Sequence, residues 1–104
     1  MIVAALMGLL LAGQPAPQNA CVTPAANSGA AKGAAWYING DPITFDGKSY
    51  VKYGLERQIP VDAVEQIGAY KSAAVMGEKG AASREVIYLL ADLQACSFQP
   101  YARE

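Results

Sequence analysis

The dipeptide Asp46-Gly47 stands between Ile43-Thr44-Phe45 and Lys48-Ser49-Tyr50-Val51-Lys52-Tyr53, and it restricts the fold more than any other feature of the chain. Asp-Gly suits a two-residue type I′ turn, whose positive φ angles match the twist of the strands it joins. A two-residue loop then sets the register, with Phe45 opposite Lys48, Thr44 opposite Ser49 and Ile43 opposite Tyr50. Side chains alternate along a strand, so Ile43, Phe45 and Tyr50 share one face, the predicted core. Thr44, Ser49, Val51 and Tyr53 share the other, a half-polar surface open to water or to a partner.

The flanking segments extend this β reading. Trp36-Tyr37-Ile38 are strand formers and Asn39-Gly40-Asp41-Pro42 are turn formers, which predicts a three-stranded antiparallel meander from Trp36 to Tyr53. Asp62-Ala63-Val64-Glu65 has the acid-x-x-Glu form of a capped helix start, which Gly68 should end after one or two turns. Ala69 to Met76 is read as a strand in preference to a continuation of that helix, and Gly77 to Glu85 as a polar loop. Val86 to Leu93 is apolar enough for a central strand buried on both faces. Pro100 cannot donate to a ladder, which predicts a tail lying along a sheet edge. The predicted fold is thus a mainly β domain with a minor α part, spanning residues 36–104. It is a small antiparallel meander of four to five strands with one short helix.

What precedes residue 36 differs in character. Met1 to Ala12 carries no charged side chain, and a Pro-, Gln- and Ala-rich run follows from Gln14 to Ala20. A secretory signal needs an apolar core of about 7 to 15 residues ahead of small residues at the cut. Crossing a bilayer takes about 20, more than this run supplies. Residues 1–20 are therefore read as a signal peptide, with a buried N-terminal helix of a cytosolic protein as the alternative. Acylation at Cys21 is disfavoured by Gln18 in the preceding triplet. Residues 21–35, rich in Ala, Gly, Ser and Pro, read as a flexible linker.

Export bears on the two cysteines. A domain this small buries only about 60% of the surface its unfolded chain exposes, so a covalent staple helps it. Cys21 and Cys96 are the only cysteines, and a bond between them would close most of the domain in an oxidising compartment. Eight basic and nine acidic residues are mixed along the chain for a net charge of −1. Without a cluster of Lys and Arg, neither nucleic-acid binding nor a polybasic membrane patch is expected.

The absence of histidine removes the commonest general base, the Ser-His and Cys-His pairs and the usual zinc ligands beyond cysteine. Asp41 and Asp46 project to opposite faces of one strand and serve its two turns. Neither a metal site nor a cofactor is predicted. Val75-Met76-Gly77-Glu78-Lys79-Gly80 resembles the Gly-x-x-Gly loop of KH domains, but Ser83 stands where that family has a large apolar residue, and the basic surface is missing. The same glycines serve an ordinary turn. The tail Cys96-Ser97-Phe98-Gln99-Pro100-Tyr101, with Gly47 to Leu55, resembles short exported bacterial proteins that end in Cys-x-Phe-Gln-Pro-Tyr. That resemblance implies export and domain length, and no site residues.

Tyrosines offer an apolar body with a polar tip, a combination enriched at interfaces. Tyr37, Val51 and Tyr53 are accordingly the predicted binding residues of a non-enzymatic, periplasmic or secreted domain whose partner is an envelope or extracellular protein. The alternative function is an inhibitor or immunity-type protein that blocks an exported enzyme through an exposed loop such as Gly77 to Ser83.

Overall fold

The computed structural model describes residues 21–104, so the segment read as a signal peptide lies outside the described residues. From the N-terminus, a short helix α1 (Ala35–Asn39) precedes strands β1 (Ile43–Phe45), β2 (Lys48–Lys52) and β3 (Arg57–Gln58). A single 3-10 turn (Val61–Ala63) leads into β4 (Val64–Tyr70), β5 (Ala73–Glu78), β6 (Val86–Asp92) and β7 (Ser97–Arg103). The protein is mainly β, as its sequence predicts. One antiparallel sheet, ordered β1-β2-β7-β6-β5-β4 with β3 also on β7, curls into a half-barrel.

The hairpin has the predicted register in full, Ile43 with Tyr50, Thr44 with Ser49 and Phe45 with Lys48. Asp46 and Gly47 both take positive φ, 53° and 76°. Ile43 and Tyr50 are buried on the concave face with Tyr101, Ile87, Leu89 and Val75. The two edges of the half-barrel meet where the Phe45 ring covers Gly68, at which a Cβ would stand 2.8 Å from the ring. A second, smaller cluster of Val64, Ala74, Met76, Leu90 and Phe98 fills part of the convex face. As expected, β6 is central, held by β5 on one side and β7 on the other.

Several local expectations are corrected. Trp36, Tyr37 and Ile38 lie in α1 rather than in a strand. The amides of Gly40 and Asp41 close the helix by donating to the carbonyls of Tyr37 and Trp36 at 3.2 and 3.0 Å, with Gly40 left-handed at φ 72°. The turn formers at 39–42 thus end a helix. The helix expected near Ala63 is the single 3-10 turn, and Glu65 to Gly68 belong to β4, where a bulge between Gln66 and Gly68 turns Ile67 toward the concave cluster. The segment Ala69 to Met76 is strand, as expected, at both ends, but it is broken by a two-residue turn at Lys71 and Ser72, both at positive φ. Ala69 and Tyr70 close β4, and Ala73 to Met76 open β5.

The tail, expected along an edge, is a central strand. β7 pairs with β6 on one side and with β2 and β3 on the other. Pro100 is tolerated because its missing N–H falls where β2 has ended and β3 has not begun, between the pairs Lys52–Tyr101 and Arg57–Phe98.

Residues 21–35 are a docked strap instead of a free linker. β5 and β6 pair only at Val75–Leu89 and Met76–Tyr88, and the strap wedges into the opening beyond. On the β5 side Gly29 donates to the Ser72 carbonyl at 2.7 Å and accepts from Ala74 at 2.8 Å. On the β6 side the amides of Ala31 and Lys32 donate to the carbonyls of Leu90 and Ala91 at 2.8 and 2.9 Å. Ala31 is buried, Lys32 pairs with Asp92 at 2.9 Å, and Cys21 is bonded to Cys96, 75 residues away. Hydrogen bonds from Lys32 and from the Ala95 and Gln94 amides hold the Asp92 carboxyl below its ordinary range.

Candidate functional site

Where β2 leaves β7, residues Tyr53 to Glu56 arch away from the sheet and present the most exposed large apolar side chain of the described residues, Leu55 at 85%. Tyr53 beside it is 61% exposed, and Gly54 makes the bend at φ 76°. An arch of this kind would move freely if only its ends were anchored. Here every residue except Leu55 is tied down. The Tyr53 amide donates to the Pro100 carbonyl at 2.9 Å, and the Gln99 amide nitrogen donates to the Gly54 carbonyl at 3.0 Å. The Glu56 carboxylate accepts from the Tyr37 hydroxyl at 2.5 Å and from the Ser97 hydroxyl at 3.2 Å.

The buried polar side chains of the described residues, Ser97 and Gln99, thus both serve the arch. Burying a polar group costs free energy unless its bonds are made, so their placement at the sheet centre is tied to the arch they hold. Tyr37 is the third support. Its ring lies under Lys52, whose Nζ is 3.9 Å from the centroid. Burial, reinforced by its bond to Glu56, pushes its hydroxyl pKa up.

Of the three predicted binding residues, Tyr53 is on the exposed arch and Val51 is half-buried on the convex face beside Ala102. Tyr37 is buried at 5% exposure on the opposite, concave side. Tyr37 therefore supports the arch from beneath and offers no surface. Sequence reasoning missed Leu55, Glu56 and Gln99. The available signal was a lone Leu after Gly54 and ahead of the polar run Glu56-Arg57-Gln58. The loop at 77–83 is also reassigned in part, because Gly77 and Glu78 belong to β5.

Among the described residues no group of three His, Cys, Asp or Glu is placed to hold a metal ion, and no helix is long and apolar enough to cross a membrane. Compared with known proteins, the chain matches no family model, no curated protein and no solved structure.

Proposed function

We propose that the chain is an exported, non-catalytic binding domain that offers the Tyr53–Glu56 arch to an apolar recess on an envelope or extracellular protein. The observation that carries this reading is the pairing of an 85% exposed Leu55 with a backbone fixed on both sides of it. Binding normally costs the ordering of interface side chains and loops, and an arch already ordered in the free protein avoids most of that cost. Apolar and aromatic anchors at the centre of a contact carry most of its free energy, the part assigned here to Leu55 and Tyr53. The Cys21–Cys96 bond is consistent with an oxidising compartment.

The test is crosslinking in the extracytoplasmic fraction of cells making the protein, with Leu55→Asp and Tyr53→Ser variants beside the parent. A specific crosslinked partner lost in both variants, at unchanged melting temperature, is the expected result. Equal crosslinking by all three proteins would remove the arch as the site. The inhibitor reading has its own support in the loop at 79–85, which the Arg84 side chain ties back to the Glu78 carbonyl at 3.0 Å. Deleting Gly80 to Ser83 separates the two, because only that reading needs the loop.

A further inference from the structure

The half-barrel is capped at one end by α1, and at the other it opens into a cleft of about 290 Å³ between the β1–β2 turn, the 79–85 loop and the end of β7. We propose that this mouth binds a compact organic anion, a carboxylate on an aromatic or aliphatic body. Ligand sites favour barrel mouths, and drug-sized ligands occupy roughly 300–1,000 Å³, so this cleft suits something smaller.

The charge of the lining argues for an anion. Lys48, Arg84 and Arg103 line it, against Asp46 as its one acid. Two further carboxylates stand nearby without saturating the arginines. Glu65 lies 3.8 Å from Arg84 Nη2, beyond hydrogen-bond reach, and Glu85 reaches Arg103 Nη1 at 3.3 Å. A guanidinium has five N–H donors. Among the described residues Arg84 uses one of them, on the Glu78 carbonyl at 3.0 Å, and Arg103 one, on Glu85.

Arg84 is also held in place. Its side chain crosses β5 directly over Gly77, where a Cβ would stand 2.6 Å from Nη1, so the glycine leaves the guanidinium room to lie in this position. Its own carbonyl accepts the Tyr50 hydroxyl at 2.8 Å, which fixes the backbone beneath it. The body of the ligand meets the other side of the mouth, where Phe45 and Ile67 are the apolar side chains of an adjoining recess that Asp46 and Arg84 also line. An apolar wall facing fork-shaped donors is the arrangement that distinguishes an organic carboxylate from an inorganic ion.

The test is a titration of the oxidised protein by two-dimensional NMR with benzoate, inorganic phosphate and neutral benzamide as probes. Benzoate is expected to give saturable shifts at the Arg84 side-chain N–H and the Gly77 and Tyr50 amides, with a Kd on the order of 1 mM. Arg103→Gln and Lys48→Gln should each weaken it several-fold, and Arg84→Lys should weaken it while keeping the charge. Dispersed spectra of the three variants separate loss of binding from loss of fold. Benzamide binding as tightly as benzoate would overturn the proposal by removing the charge from recognition. Phosphate binding as tightly would overturn it by removing the apolar wall, and shifts that never saturate would leave no site at all.

Discussion

At the scale of single residues the concave core contains one polar atom with no partner among the described residues, the hydroxyl of the fully buried Tyr101. An unsatisfied buried hydroxyl costs about 1–3 kcal/mol. Tyr101→Phe keeps the ring and removes that cost, so its expected outcome is a melting temperature equal to or above the parent's. Burial, then Tyr70 and Asp41, push the Tyr101 pKa from 10.0 up to about 12. Folding therefore favours its neutral form. This contribution to stability is complete below pH 10 and lost as the pH rises through 12. Tyrosinate absorbance followed against pH should show a late-titrating fraction that shrinks by one tyrosine in Tyr101→Phe and persists through Tyr37, whose hydroxyl is also pushed up. The two concave glycines support a second prediction. Gly77→Ala must displace the Arg84 guanidinium and Gly68→Ala the Phe45 ring. Gly68→Ala should cost about 1–3 kcal/mol in a denaturant titration, and Gly77→Ala less, because the guanidinium end of Arg84 can swing aside where the Phe45 ring cannot. Pairing Gly77→Ala with Arg84→Ala should recover part of the loss, because the two positions are in contact.

At the scale of elements, the hairpin was legible down to its register because Asp46-Gly47 acts locally and needs no tertiary context. Other elements were misread where a distant neighbour decides. Trp36 and Tyr37 favour a strand by propensity, but Gly40 at φ 72° followed by Pro42 ends a helix that covers the concave core. Lys71 and Ser72 make a hairpin turn with no glycine, so the turn between β4 and β5 carried no signal at all. The strap is the clearest case. Its Ala and Gly content reads as a linker, yet small residues are what fit between parted strands, where Gly29 and Ala31 join both sides by backbone bonds. Of the candidate site, Tyr53 was legible from strand alternation. Leu55 was not, because the arch follows from the pairing of β7 with two separate segments. Replacing Cys21 and Cys96 by Ser should cost about 4 kcal/mol for a loop of 75 residues. Hydrogen exchange should then show the amides of Ala31 and Lys32 opening before those of β6.

At the scale of the whole molecule, β7 is the strand on which the rest depends, since β2, β3 and β6 all pair with it. Removing residues 95–104 is expected to abolish the cooperative transition seen by circular dichroism, whereas a chain that kept a folded β4–β6 core would show a reduced one. Most of these pairings join segments far apart in sequence, a topology that slows folding. The order of synthesis gives this a further meaning. A ribosome delivers β7 after the other described strands, so β2 and β6 stay unjoined, and Cys21 without Cys96, until β7 has emerged. If the chain is exported as proposed, it would gain from this delay, because a secretion channel threads unfolded polypeptide and the chain stays threadable until β7 has emerged.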